Sequence, residues 1–171
     1  MNNHKPVVIN AQFALFFTTP IAKPEEFWLK INETVGNIFD TTPLMLPVPK
    51  DVPELYEVPV VQMMSTNGVY KMNIARTRVD FYLAGSGKQE FQDVKEDFYA
   101  KTIQLFSLFN PLYPVKRIGF VTRFFFQDKN QNDTIAKFFK KYLTSLHGGN
   151  IYEAFIRYVI RENLGSFAIN N

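Results

Sequence analysis

The chain has 171 residues, of which 46% are hydrophobic and 16% aromatic, and its net charge is +3. This length suits one domain, and the aromatic content excludes a globally disordered, collagen-like or coiled-coil chain. The sequence contains no cysteine, which excludes disulfide scaffolds, cysteine-bound metals and cysteine nucleophiles. We therefore expect a single domain over residues 1–171 with an aromatic core. The alternative is that some of the aromatic side chains lie on the surface and bind a partner.

Basic residues concentrate in the second half of the chain. Residues 1–85 carry 7 basic and 8 acidic side chains (net −1), whereas residues 86–171 carry 12 and 8 (net +4). A basic half indicates an anionic partner, and a solubilising surface on an apolar protein is the alternative. The sequence shows no signal-peptide pattern and no run of about 18 apolar residues, so we expect a cytoplasmic protein that does not contact membranes.

The first segments predict a strand followed by a helix. Residues 7–17 alternate as a strand does, with Asn10 and Gln12 on one face and an apolar set on the other: Ile9, Ala11, Phe13, Leu15 and Phe17. In residues 24–39, Pro24 suits the first turn of a helix. The apolar spacing predicts a buried helical stripe, formed by Phe27, Trp28, Ile31, Val35 and Ile38.

Five of the ten prolines fall within residues 43–59, so this segment is not expected to form a helix or a central strand. We expect an extended, packed loop there, with a linker between two domains as the alternative. Beyond it, residues 60–66 and 69–75 alternate on either side of Asn67-Gly68. This dipeptide predicts a β-hairpin with a type I′ turn, which needs positive φ at both turn residues.

The remaining pattern predicts strands over 78–84 and 115–127 and helices over 89–109 and 134–146. Residues 151–161 are ambiguous, because their β-branched and aromatic content favours a strand while their apolar spacing also fits a helix; residues 167–169 would pair with that strand. The order β-α-β-β-β-α-β-α-β-β predicts an α+β fold. We expect a mainly antiparallel sheet with about three helices packed on one face, and open sheet edges at the first and last strands.

One segment approaches a nucleotide-binding motif. Residues 84–89 (Ala-Gly-Ser-Gly-Lys-Gln) lie between a predicted strand and a predicted helix. A P-loop would need glycine where Tyr82 stands and serine or threonine where Gln89 stands. A flexible turn is the simpler interpretation, and an anion-binding loop formed by Gly85, Ser86, Gly87 and Lys88 is the alternative.

Other catalytic chemistry finds little support. The two histidines, His4 and His147, lie near a terminus and beside a predicted helix end, so neither a histidine metal site nor a Ser-His-Asp triad is expected. The acidic residues of 89–109 alternate with lysines, which is typical of a solvated helix face. We assign no catalytic residue, metal or cofactor, and these patterns favour a protein that is not an enzyme.

Basic and aromatic residues share one face of the strand over 115–127. Arg117, Val121, Arg123 and Phe125 alternate onto that face, and Lys137, Lys140 and Lys141 cluster on the next predicted helix. A sheet face with arginine and aromatic side chains can stack single-stranded bases. These residues, chiefly Arg117, Arg123 and the three lysines, are the candidate anion or nucleic-acid site.

Three stretches resemble a family of sporadically distributed, uncharacterised prokaryotic proteins. They are Gly68-Val-Tyr-Lys-Met, Thr77-Arg-Val-Asp-Phe-Tyr-Leu and, after a long amphipathic helix, Val115-Lys-Arg-Ile-Gly-Phe-Val. The resemblance implies no activity and no site residue. Members of the family are usually longer, so the chain is expected to be either a short relative or one that lacks a C-terminal portion.

These observations favour a non-catalytic protein–protein interaction module that self-associates as a homo-oligomer, because the aromatic excess and open sheet edges both favour association. The alternative is nucleic-acid or polyanion binding through the basic C-terminal half.

Overall fold

The computed structural model describes residues 7–85, 91–125, 161–164 and 167–170. Its main feature is an antiparallel six-stranded sheet in the order β2-β3-β4-β5-β1-β6. The strands are β1 (Val7–Phe17), β2 (Leu44–Met45), β3 (Val61–Met64), β4 (Tyr70–Ile74), β5 (Arg78–Ala84) and β6 (Val115–Phe125). With the helices α1 (Trp28–Thr34) and α2 (Phe91–Phe109), the chain has the expected α+β fold.

Strand β1 lies at the centre of the sheet, between β5 and β6. The expectation that the first strand forms an open edge was therefore wrong; β2 and β6 are the outer strands of this sheet. A register shift between Val8 and Asn10 leaves Ile9 without a partner on β6, so Ile9 is exposed rather than part of the apolar face. Such a bulge inserts one extra residue and changes which way the neighbouring side chains point.

The predicted hairpin around Asn67-Gly68 is confirmed, since β3 pairs with β4. Its turn is not type I′, because Gly68 has φ of 70° but Asn67 does not have positive φ. Buried Ser65 explains the difference: its main-chain oxygen accepts from Gly68 N (2.8 Å), and its hydroxyl donates to Asn67 Oδ1 (2.7 Å). The asparagine side chain thus stabilises the turn without adopting the left-handed conformation.

The helix predicted over residues 24–39 is shorter than expected. A 3₁₀ turn over Pro24–Glu26 precedes α1, and the helix ends at Thr34. It ends there because Gly36 and Asn37 adopt left-handed φ values of 83° and 58°, which no α-helix accommodates.

The proline-rich segment is largely irregular, as predicted, with the two-residue outer strand β2 and a 3₁₀ turn over Pro53–Leu55. Its packing is partial. Val48 packs against the core, whereas Leu44, Met45, Val52 and Val58 are exposed.

Both helices pack on one face of the sheet. The ring of Phe98 on α2 stacks on Phe81 of β5 at 5.1 Å, and Phe27 stacks on Phe109 at 5.7 Å. The core beneath them includes the fully buried Leu15, Met72 and Ile74. Two helices therefore cover this face in the described part of the chain, and the third predicted helix (134–146) lies outside it.

The last described residues form a separate two-stranded antiparallel sheet of β7 (Arg161–Leu164) and β8 (Phe167–Asn170). β8 contacts β6. The predicted strand over 167–169 therefore pairs with Arg161–Leu164. Residues 151–160, for which the sequence allowed a strand or a helix, lie outside the described residues.

Candidate functional site

The sheet face opposite the helices, here called the polar face, carries most of the polar side chains of the strands. On β1 it presents Asn10 and Gln12, as the alternation predicted. Pairing extends the face across the sheet: Gln12 lies opposite Tyr82 of β5 and Val121 of β6, and Tyr82 lies opposite Lys71 of β4. The same alternation places Asn73, Arg78, Asp80, Arg117 and Arg123 on this face.

An open groove of about 380 Å³ crosses the polar face. Lys71 and Arg123, both exposed, are its cationic residues. The other polar lining residues are Asn10, Gln12, Asn73 and Tyr82, and Met64, Val69 and Leu83 contribute apolar surface. Its volume falls at the lower end of the range of about 300–1,000 Å³ typical of ligand pockets.

A hydrogen-bond network beside the groove neutralises Asp80. This carboxylate is only 6% exposed. Arg78 donates to its Oδ1 from Nε (3.0 Å) and Nη2 (2.8 Å), and Gln12 Nε2 donates to the same oxygen at 2.8 Å. A buried charge is tolerable when it is paired in this way. The network fixes the Gln12 amide and leaves Lys71, Arg117 and Arg123 to determine the sign of the charge on the polar face.

Tyr82 presents a neutral phenol to the groove. Burial raises the pKa of Tyr82, and the negative charge of Asp80 adds to the rise. Gln12 Nε2 donates a hydrogen bond of 3.3 Å to its Oη. At neutral pH the side chain therefore acts as a hydrogen-bonding group and not as a charge.

Two guanidinium groups cover Phe16 at the other end of the polar face. Arg117 of β6 lies 3.7 Å and Arg78 of β5 lies 4.7 Å from the ring centroid, and the ring is only 6% exposed. Cation–π attraction holds both side chains over the ring. Phe16 is thus a support for Arg117 and not a free stacking surface.

The candidate residues taken from the sequence fall into two groups. Arg117 and Arg123 lie on the polar face and are exposed. Lys137, Lys140, Lys141 and the side chain of Phe125 lie outside the described residues, as do Ser86, Gly87 and Lys88 of the candidate anion loop. Gly85 is described: its amide donates to Ile9 O at 2.8 Å, and a Cβ there would lie 1.9 Å from Val8 O. Close approach of two main chains therefore accounts for this glycine.

The described carboxylates of α2 take part in surface ion pairs. Asp97 accepts hydrogen bonds from Tyr70 Oη and Lys101 Nζ, and Lys95 lies 3.7 Å from Glu96. Burial pushes the pKa of Asp97 upward, but the hydrogen bonds from Lys101 and Tyr70 outweigh it and hold the pKa below its ordinary value. An ionised carboxylate of this kind is not poised to act as a general acid near neutral pH.

The sequence alone did not identify the groove residues Gln12, Lys71, Asn73 and Tyr82 as a group. Each lies at a polar position of an alternating strand, which is a signal for the non-core face. Their assembly depends on strand order, because five strands contribute to the groove and β1 and β6 are distant in sequence from the consecutive strands β3, β4 and β5.

Among the described residues, no three acidic, histidine or cysteine side chains cluster as metal ligands would. No helix in that part of the chain is long and apolar enough to cross a membrane. Comparisons of the chain with protein-family models, with curated proteins and with solved structures found no match.

Proposed function

We propose that this chain is a non-catalytic binding module whose polar face binds a polyanion, with single-stranded nucleic acid as the ligand class. The observation that carries the proposal is the exposure of Lys71, Arg117 and Arg123 on one face of one sheet. Arg78, a further cation of this face, is already paired, since it lies 2.8 Å from Asp80 and 3.9 Å from Glu57. The cations that remain attract an anionic partner.

The shape of the polar face favours a single strand over a duplex. Arg117 and Arg123 are six residues apart on β6, which corresponds to roughly 20 Å along a strand. A row of cations of this length can follow several phosphates of a flexible strand. Reading a duplex would need an element that enters a groove, and the described polar face consists of sheet alone.

The basic residues outside the described part belong to the same proposal. Lys137, Lys140 and Lys141 would add positive charge, and Ser86, Gly87 and Lys88 of the candidate anion loop would add main-chain amides able to bind a phosphate. Their support is the sequence pattern alone.

Fluorescence anisotropy with a labelled single-stranded oligonucleotide of about 12 residues tests the proposal across a salt series. The slope of log K against log salt for a single strand is about −0.7 per phosphate contact. The double variant R117E/R123E should therefore weaken binding and flatten the slope by about 1.4. K30E is the control for charge reversal at a single site outside the polar face, because Lys30 is exposed on α1, and it should leave the slope unchanged. Absence of binding at about 50 mM salt, or equal losses in R117E/R123E and K30E, would overturn the proposal.

The helix-covered side of the molecule supports a second candidate function, self-association. Ile103 of α2 is 66% exposed, and Phe120 of β6, whose ring lies 5.9 Å from that of Phe98, is 41% exposed. Ile118, two residues from Phe120, is also exposed. Tyr99, one helical turn from Ile103 on α2, brings this side of the helix to Phe120, since the two rings lie 5.4 Å apart. We call Ile103, Ile118 and Phe120 the apolar patch; apolar surface of this kind is commonly covered by a partner.

Either a third helix of the same chain or a second copy of the protein would cover the apolar patch, and only the second copy makes the patch an interaction surface. A third helix over 134–146 packed on the same sheet face would cover it within one chain, whereas a second copy would make the chain a self-associating interaction module. Light scattering after size exclusion at micromolar concentration distinguishes them. A dimer that I103E converts to a monomer supports self-association, and a wild-type monomer overturns it and favours the third helix.

The family resemblance and the cytoplasmic location stay predictions. They are compatible with a binding module, and a pull-down from the native host followed by mass spectrometry would identify the partner that either function requires.

A further inference from the structure

The groove on the polar face combines three kinds of side chain that together suit the phosphate, the polar edge and the apolar surface of a nucleotide. Cationic side chains lie at its rim, amide and phenol groups lie between them, and Met64 and Val69 add apolar surface. We propose that this groove is a subsite for one nucleotide unit, in which the base meets the amides and Tyr82 and the phosphates meet Lys71 and Arg123. This inference rests on the proposed function, since it names where on the polar face a base is recognised.

The rim is wide enough for a base. Lys71 lies on β4 and Arg123 on β6, with β5 and β1 between them. Three inter-strand steps correspond to about 14 Å between the two main chains. Both side chains are long and flexible, so they can reach phosphates on either side of a base that lies between them.

The groups between the rim residues can read a base edge. Both amide hydrogens of Gln12 are used, by Asp80 Oδ1 and Tyr82 Oη, so Gln12 offers its amide oxygen as an acceptor. Asn73 carries an amide donor and an amide acceptor, and the neutral phenol of Tyr82 can donate. The bond from Gln12 Nε2 to Asp80 Oδ1 (2.8 Å) fixes the Gln12 amide before any ligand arrives. Fixed donors and acceptors favour a ligand with its own pattern of polar atoms, such as the Watson–Crick edge of an unpaired base.

Asn73 supplies an independent observation. Its Oδ1 is buried and has no hydrogen-bond partner among the described residues. An acceptor in that state lowers stability, and in native structures it commonly indicates a position served by water or by a ligand. Because Asn73 lines the groove, a donor supplied there after a small rotation of the amide would remove the penalty.

Substitution of Asn73 by valine separates base recognition from charge. N73V removes the amide but no charge, and valine suits a strand. Gln62 is the matched control, because it lies directly opposite Asn73 on β3 and does not line the groove. The wild type should bind an abasic oligonucleotide about tenfold more weakly than the same oligonucleotide with bases. N73V should abolish most of that difference without changing the salt slope, while Q62V should retain it.

Nuclear magnetic resonance of the side-chain amides provides a second measurement with nucleoside monophosphates as probes. The Asn73 and Gln12 amide signals should shift on titration, and inorganic phosphate alone should leave them in place.

The outcomes distinguish this inference from the proposed function. If abasic and complete oligonucleotides bind equally while R117E/R123E weakens both, the polyanion function stands and the nucleotide subsite is refuted. If no oligonucleotide binds but nucleoside monophosphates shift the Asn73 and Gln12 amides, the subsite stands and the polymer function is refuted. Absence of both effects overturns both.

Discussion

Replacement of Gly85 by alanine should destabilise the protein, because β5 approaches the bulge of β1 at this residue. The new Cβ would lie 1.9 Å from Val8 O, 2.6 Å from Val8 C and 3.1 Å from Ile9 O. All three are main-chain atoms, so no side-chain rotation relieves the overlap. The end of β5 must move away from β1, which breaks or strains the 2.8 Å hydrogen bond from Gly85 N to Ile9 O.

The expected loss follows from these contacts. Overpacking that displaces a main chain costs about 1–3 kcal/mol, and a lost hydrogen bond adds about 1 kcal/mol. G85A should therefore lower the free energy of unfolding by about 2–4 kcal/mol, a large part of the roughly 5–15 kcal/mol typical of a domain.

Gly119 is the matched control for Gly85, since it lies in β6 on the other side of β1. A Cβ at Gly119 would meet Ala14 Cβ at 3.5 Å and Phe16 Cε2 at 3.6 Å, which is ordinary van der Waals contact. Its φ is outside the left-handed region, so alanine reduces the entropy of the unfolded chain without strain. G119A should be neutral or raise stability by up to about 1 kcal/mol.

Urea unfolding monitored by tryptophan fluorescence measures both variants. Trp28 is the only tryptophan and packs against the core, so it reports on the folded state. The midpoint should fall for G85A and hold or rise for G119A, with the slope m unchanged in each. A G85A midpoint equal to that of the wild type, or an equal fall in both variants, would refute the close-approach argument.

Three further predictions concern packing, pH and the end of α1. F81A should lower the free energy of unfolding by about 3–5 kcal/mol, because Phe81 is fully buried against the rings of three neighbours. L29A, at an exposed position, should change it by less than about 0.5 kcal/mol in the same urea assay. The pKa of Asp97 is held below its ordinary value of 3.8, so Asp97 contributes its full stabilisation above that value and loses it as the pH falls through the lower pKa of the folded state. Y70F removes one of the hydrogen bonds that lower this pKa, so the free energy of unfolding should fall less steeply at acid pH. An unchanged dependence on pH would contradict the assignment. Asn37 has a left-handed φ of 58°, which alanine adopts only with strain. N37A should therefore reduce the free energy of unfolding by about 1 kcal/mol and lower the melting temperature, whereas N37G should not.

Local patterns predicted the elements whose signals lie within a few residues. The period-2 alternation of β1 and the Asn67-Gly68 dipeptide identified a strand and a hairpin, because side-chain direction and turn conformation are local properties. The helix over 24–39 was too long, since the apolar spacing continues through Ile38 although Gly36 and Asn37 end the helix. Hydrophobic periodicity alone does not detect such a stop.

Long-range pairing is the part that the sequence did not predict. β1 pairs with β5 and β6, at sequence separations of about 70 and 110 residues, and no local pattern indicates that the first strand is central. The same pairing brings Lys71, Gln12 and Arg123 to one groove. Arg117 and Arg123 could be selected from their own strand, but the groove between them depends on strand order.

The two candidate surfaces should respond to salt in opposite ways, because they differ in how they are solvated. The cations of the polar face are hydrated, and a partner without charge would remove this water without offering new interactions to Lys71, Arg117 and Arg123. A polyanion offers negative charges in place of the water. Added salt competes with the polyanion for these cations. The apolar patch has no charge to screen, and salts such as sulfate strengthen apolar association. If sulfate weakens oligonucleotide binding while it leaves a dimer intact, the two faces bind different partners. If sulfate disrupts both together, one surface performs both functions, and the assignment of binding to opposite sides of the sheet is wrong.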